Sequence, residues 1–333
     1  MKKFLIAGGA GFIGSSIASK LIDEGHQVVI LDSLVTGRRE FTSGRPFYEG
    51  DIADGALVDR IFEQHPDIDA VVNCAALIVV PDSVADPLGY YEANVAKGIQ
   101  FISHLVRNHC TRLLFSSSGS IYKASDDFTV DENSPTDPLS PYSRTKEIFE
   151  QILRDIAAAG QLQVVSLRYF NPIGADPQLR SGLQIRQPTH ALGAMIACHH
   201  ADKPFHITGT DYPTRDGSGI RDYIHVWDLA DAHLKALLDF DTVTRDAGGY
   251  QVINVGTGTG TTVRELVAAF ETATGRHLDV VETDRRPGDA AGVYTRSTRA
   301  GDLLGWKPQH TIEDGIRDSL AWVAKRDTVI GTA

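Results

Sequence analysis

Cysteine is scarce. The 333-residue chain has three, Cys74, Cys110 and Cys198, at spacings that give neither a disulfide framework nor a zinc site. That scarcity fits a reducing compartment, so a cytoplasmic protein without a bound metal is expected. Basic charge is in short supply too: 32 Lys and Arg face 43 Asp and Glu, a formal net charge of −11. Nucleic acid and anionic membranes call for basic surface and are excluded as partners. An anionic small substrate stays open if arginines gather locally around it. Long apolar runs are absent, so no segment reads as a membrane span. The opening "MKKFLIAGGAGFIGSS" mimics a signal peptide, but its apolar core, Phe4 to Ala7, is very short and suits a strand entering a turn.

What is present is a rhythm. Apolar strands at Phe4–Ala7, "QVVILD", "DAVVNCA", "RLLFSSS" and "VVSLRYF" alternate with amphipathic helices. The helices include "FIGSSIASKLIDE", a long one through "PLGYYEANVAKGIQFISHLVRN", and one that starts at Ser140 and ends near Gly160. Such alternation predicts an α/β fold, a doubly wound parallel sheet covered on both faces. Residues 1–171 are expected to form the nucleotide-binding domain, with the sheet rejoined within about 223–256. Residues 172–222 and 257–333 are expected to form a smaller α/β lobe for substrate. The former segment is rich in Pro, Gly and Arg and holds one helix, "THALGAMIACHH". The "CHH" within it places neighbouring residues on different helix sides, which argues for packing over metal binding.

"FLIAGGAGFIG" sets Gly8, Gly11 and Gly14 three apart between a strand and a helix. Glycine there permits the tight turn and the close approach of a pyrophosphate, while the helix N-terminus supplies N–H groups. Asp32 ends the next strand. A carboxylate at that place accepts hydrogen bonds from ribose hydroxyls and repels a 2′-phosphate, favouring NAD over NADP. Arg38 and Arg39 follow closely and read as surface charges.

"SPYSRTKEIF" offers a second device. Ser140 is a candidate N-cap and Pro141 suits the first helical position. Tyr142 and Lys146 then share one face, a turn apart. The lysine charge, the helix dipole and a cationic ring nearby are expected to lower the phenol toward neutrality, from an ordinary value of about 10. Ser116, Ser117 and Ser118 bring hydroxyls to the carboxyl edge of the sheet, where ligands bind in such folds. A phenolate and a serine hydroxyl jointly holding one substrate hydroxyl would make a hydride-transfer site.

The GxxGxxG spacing with Tyr-x-x-x-Lys resembles the extended short-chain dehydrogenase/reductase superfamily. "SSSGSIY", "SPYSRTK", "LRYFNPIGA", "DYPTRDGSGIRDYIHVWDLADAH", "RRPGD" and "LGWKP" extend the likeness nearly end to end. Together they resemble the UDP-glucose (UDP-galactose) 4-epimerase family. The resemblance implies a Rossmann fold, a retained NAD, a UDP-hexose substrate and a homodimer built from helices. It implies Tyr142 as acid/base, with Ser118 and Lys146 as its partners. It also assigns Phe12, Ile13, Ser33 and Ser116 to the cofactor site, together with Asp51 and Ile52 at the adenine. Ala75, Ala76 and Asn94 would line the cofactor groove, and Tyr169, Phe170 and Pro172 the nicotinamide end. Ser120, Asn171 and Thr189 would meet the substrate, with Arg221 and Arg286 on its diphosphate and Tyr223 and Asp289 beside them.

Related dehydratases carry an Asp-Glu pair where this chain has Gly119 and Ser120, and those two cannot shuttle protons. Five positions are set against the family pattern: Ile78, Lys123, Thr189 (where a substrate-binding Asn is common), Thr208 (in place of an aromatic) and Val293 near the sugar's C2 substituent. The valine leaves a UDP-N-acetylglucosamine 4-epimerase, or another nucleotide-sugar epimerase of a biosynthetic pathway, as the alternative. A non-catalytic NAD-sensing protein is a third reading, against which Tyr142, Lys146 and Ser118 weigh.

Overall fold

The computed structural model describes residues 1–285 and 290–332. The first half runs β1 (Lys3–Ala7), α1 (Phe12–Asp23), β2 (Gln27–Asp32), β3 (Phe47–Glu49), α2 (Gly55–Gln64) and β4 (Ala70–Asn73). It continues through α3 (Val80–Ala85), α4 (Pro87–Tyr91), α5 (Lys97–Arg107), β5 (Arg112–Ser118), β6 (Thr129–Val130), α6 (Pro141–Ala158) and β7 (Gln163–Tyr169). Then come β8 (Asn171–Ile173), α7 (Ala191–Ala201), β9 (Phe205–Thr208), β10 (Ile220–His225), α8 (Val226–Leu238), α9 (Phe240–Arg245) and β11 (Tyr250–Val255). The chain closes with β12 (Gly260–Thr262), α10 (Val263–Thr274), β13 (Val280–Thr283), β14 (Tyr294–Thr295), α11 (Arg299–Leu304) and α12 (Ile312–Ile330).

Seven strands form one sheet in the order β11-β7-β5-β4-β1-β2-β3, every pairing parallel. Both faces are apolar because alternate strand residues feed different cores. Phe4 and Ile6 join Ile17, Leu21, Leu229 and Trp306 on the side of α1 and α8. Leu5 and Ala7 join Val58, Ile61, Phe101, Phe149 and Leu153 on the side of α2, α5 and α6. Neither face meets water, as a parallel sheet requires.

The return to the sheet is made by α8, which packs on α1, and by β11, which pairs with β7. The strand at 220–225 does not join it. β10 pairs with β8 and β12 in a separate three-stranded sheet, because the chain turns out of the main sheet after Tyr169. A third core gathers Leu192, Met195, Phe205, Leu266, Phe270 and Ile316 from the C-terminal elements. Among the described residues, no helix is long and apolar enough to cross a membrane.

The expected long helix at 87–108 contains a π-helical turn, Glu92–Ala96, between α4 and α5. Such turns insert one extra residue and occur often at functional sites.

Trp322 of α12 is 1% exposed, and its indole N–H donates to the Leu183 carbonyl at 2.8 Å. Its ring lies 5.7 Å from that of Phe41, so the last helix is fastened to the first half of the chain. Trp322→Ala is expected to cost about 3–5 kcal/mol, read by denaturant unfolding. A loss under about 1 kcal/mol, the scale of a surface substitution, would show that α12 is held elsewhere.

Candidate functional site

The carboxyl ends of β1, β2, β4, β5 and β7 open onto one cleft of about 1550 Å³, whose far side comes from residues 183–212, 219–223 and α12. At one end stands the glycine turn. Gly8 has φ +78°, and a Cβ on it would meet the Ala75 nitrogen at 2.7 Å. A Cβ on Gly14 would meet the Gly8 carbonyl oxygen at 2.3 Å, so helix and turn approach too closely for any side chain. Gly11 differs: its nearest neighbour would be at 3.4 Å, and it N-caps α1 without any side-chain cap. The free N–H groups at that helix start therefore face space bounded by Gly8, Gly11, Phe12, Ile13 and Gly14, all on the cleft. A pyrophosphate fits such a cradle.

Asp32 lies beside it, 8% exposed. Its carboxylate accepts from the Ala10 N–H at 2.9 Å and the Leu34 N–H at 2.8 Å. Burial raises its pKa, partly offset by those two bonds. Ser33, Asp51, Ile52, Ala75 and Ala76 also line the cleft. Lys97, which the sequence reading missed, binds Asp51 at 2.6 Å on the same rim. Arg38 and Arg39 are exposed, and Arg39 pairs with Glu49. Two assigned groove residues do not reach the cleft. Asn94, in the π turn, spends its amide on the Leu77 backbone, at 2.8 and 2.9 Å, and on the Thr145 hydroxyl at 3.0 Å. Ser116, 1% exposed, contacts Cys74 Sγ at 3.1 Å and His233 Nε2 at 3.4 Å. Both residues brace the cleft from behind.

At mid-cleft, Ser140 caps α6 by accepting from the Ser143 N–H at 3.2 Å, with Pro141 in the first turn. Tyr142 and Lys146 face the cleft from that helix, and Ser118 faces it from the end of β5. Lys146 is 4% exposed and donates to the Ser116 carbonyl at 2.8 Å. Its nitrogen lies 6.0 Å from the Tyr142 ring centre. Burial of the amine pushes its pKa down to about 8. The expected lowering of the phenol is not what the protein alone provides. Burial pushes Tyr142 up to about 12, and the Ser118 hydroxyl beside it only partly offsets this. Desolvation of the phenolate outweighs a lysine that lies over the ring with its proton committed to a carbonyl.

Tyr169, Phe170, Asn171 and Pro172 line the cleft where β7 ends, and Ser120 joins them from the turn after β5. Ser118 donates to Ser120 at 2.9 Å, and Ser143 donates to Ser120 at 3.0 Å, in a hydroxyl chain leading to α6. Further out, Thr189, Arg221 and Tyr223 line the substrate side. The Arg221 guanidinium donates to the carbonyls of Ile220, at 2.8 Å, and Ala291, at 2.6 Å. Asp222 does not pair with it: that carboxylate is fully buried and accepts from the N–H groups of Thr257, Gly258 and Thr295. Arg286 and Asp289 lie outside the described residues. Ile78, Lys123, Thr208 and Val293 all reach the cleft. Gln184, Arg186, Trp322 and Arg326 do as well, though no local pattern marks them.

A family profile described as "NAD dependent epimerase/dehydratase family" matches residues 4–256. The UDP-glucose 4-epimerase of Azospirillum brasilense is 41% identical over 99% of this chain and 94% of its own. Among solved structures, the UDP-glucose 4-epimerase of Stenotrophomonas maltophila, with bound NAD and formylated UDP-arabinopyranose, aligns at TM-score 0.91. It is 36% identical, over 98% of this chain and 99% of that one. The Bifidobacterium longum UDP-glucose 4-epimerase, in complex with NAD+ and UDP, gives TM-score 0.90 and 33% identity over 99% and 100%.

In the ligand-free protein, an ultraviolet difference between wild type and Tyr142→Phe is expected to show tyrosinate only as the pH nears about 12. A tyrosinate band near neutrality would contradict the burial argument.

Proposed function

The chain belongs to the NAD dependent epimerase/dehydratase family, and on that premise we propose that it is an NAD-dependent 4-epimerase interconverting UDP-glucose and UDP-galactose through a 4-keto sugar. One observation carries the reading: Tyr142, Ser118 and the buried Lys146 converge on the same cleft as the glycine cradle. Gly119 and Ser120, where a dehydratase would need an acid and a base, supply neither. The bound relatives support the ligands: one holds NAD with a UDP sugar and the other NAD+ with UDP.

NAD+, held in this cleft, would supply reversible hydride acceptance at the sugar's C4. The start of α1 would hold its pyrophosphate and Asp32 its ribose, with Asp51 and Ile52 at the adenine. Ala75 and Ala76 would flank the groove, and Tyr169, Phe170 and Pro172 its far end. Tyr142 takes the proton of the sugar 4-hydroxyl, and the Ser118 hydroxyl orients that oxygen. Lys146, anchored on the Ser116 carbonyl, places a cation beside the forming phenolate. After the keto sugar turns over, Tyr142 returns the proton, so one base serves both directions. Asn171, Ser120 and Thr189 hold the sugar nucleotide, and Arg221 and Arg286 its diphosphate, with Tyr223 and Asp289 beside them.

Residues 1–171 and 223–256 form the cofactor domain in this reading, and 172–222 and 257–333 the substrate lobe. The exposed apolar side chains Val84, Leu88, Ile99 and Leu139, on and beside the helices at 80–107, support a homodimer. The scarcity of cysteine supports a cytoplasmic location.

Purified protein is expected to convert UDP-galactose to UDP-glucose without added cofactor. Tyr142→Phe is expected to lose about 10³-fold in kcat while keeping its dinucleotide, measured by coupled assay and by extraction. Preferential turnover of UDP-N-acetylglucosamine would select the N-acetyl alternative, and no turnover of any nucleotide sugar would overturn the proposal. Gly11→Ala is expected to melt near the wild-type temperature yet lose dinucleotide, because its methyl group fits the fold but occupies the cradle.

A further inference from the structure

Behind the cleft, out of reach of any ligand, lies a buried ion pair that the reaction just described does not use. Glu150, one turn beyond Lys146 on α6, is 2% exposed, and Arg168 of β7 is 5% exposed. Arg168 Nε donates to Glu150 Oε1 at 2.9 Å and its Nη2 to Oε2 at 2.5 Å. The Ser117 hydroxyl donates to the same carboxylate. On its other side, Arg168 Nη1 donates to the Tyr122 hydroxyl at 2.8 Å, which donates to Asn254 Oδ1 at 2.6 Å. The three strands and one helix so joined carry Ser118 and Tyr169 immediately beside bonded residues, and Tyr142 about two turns before Glu150 on α6. A buried pair of this kind contributes little net stability compared with neutral residues of similar size. Stability alone does not account for it.

We infer that Glu150 and Arg168 are positioning residues for the proposed epimerisation: the pair fixes α6 against β5 and β7, and Glu150 keeps Lys146 protonated. This rests on the reading of Lys146 as the cation beside Tyr142. The surroundings of the amine support it. Cys74 is a thiol pushed up to about 11 by burial, and Tyr142 and Tyr169 are phenols raised by burial. His233, which reaches Ser116 from α8, is pushed down to about 4 by burial and is neutral. Asp32 and Tyr90 act on Cys74 and Tyr142, not on the amine directly. Burial drives Lys146 toward the free amine, and Cys74, when ionised, and Glu150 oppose it. Glu150, held by Arg168 and Ser117, is the carboxylate that opposes burial at Lys146.

The sign of the effect follows. In Glu150→Gln the amine loses a counter-charge, so it gives up its proton at lower pH. The basic limb of kcat is expected to move down by about one pH unit. The ¹⁵N titration of the Lys146 side chain, assigned by its loss in Lys146→Met, is expected to move with it in enzyme holding its own dinucleotide. Arg168→Gln leaves the carboxylate and is expected to hold the limb in place or raise it. Should Glu150→Gln fail to fold, Glu150→Gln/Arg168→Gln leaves no unpaired buried ion and is expected to move the Lys146 titration down as well. A Lys146 titration unmoved in every variant lacking Glu150, or displaced equally by Arg168→Gln, would overturn the inference and leave a purely structural pair. That titration needs no turnover, so a failed activity assay would count against the epimerase reading and not against this one.

Discussion

An amine drawn into the dry interior beside a phenol sets the terms for the rest of this molecule. Lys146 is tolerated there because a strand carbonyl accepts its hydrogen bond and a carboxylate one turn along its helix opposes the effect of burial. Both partners depend on α6 lying squarely across the ends of β5 and β7. The register that pairs Ser118 with Tyr169 brings serine, tyrosine and lysine to one level. The apolar packing of Phe149 and Leu153 against the sheet holds them there. Catalytic geometry and core packing are therefore carried by one stripe of a single helix, at positions 142, 146, 149 and 153.

Much of this was legible in the residues. The Gly8, Gly11 and Gly14 spacing is a backbone requirement, and backbone requirements are local. The Ser140 cap and Pro141 start likewise announce where α6 begins, which fixes which face Tyr142 and Lys146 occupy. The apolar strands could be read because a sheet buried on both faces leaves few polar positions to blur them. The resemblance of several motifs to known epimerases led to the same family that the comparisons found.

What escaped was set by burial and by distance along the chain. Asn94 and Ser116 carry the residue types of a binding groove, yet their polar atoms are spent on neighbouring backbone and side chains. Sequence alone does not reveal that accounting. The upward push that burial gives the phenol in the ligand-free protein was not legible, because desolvation depends on what surrounds the ring in three dimensions, whereas the lysine is visible at a glance. Trp322 and Arg326 come from the last helix and reach the cleft only after the whole chain has closed. Strands of two or three residues, such as β6 and β14, give no period to detect.

The π turn at Glu92–Ala96 has an evolutionary reading. A π turn spreads one extra residue over a single turn of helix, so removing one residue here would restore a regular helix and leave the residues beyond it facing nearly as they do now. Phe101 and Leu105 would keep their places in the core, whereas Asn94 would lose its position against the Leu77 loop. The turn thus accommodates one residue more than a regular helix, and a change of length there falls on the loop and spares the packing.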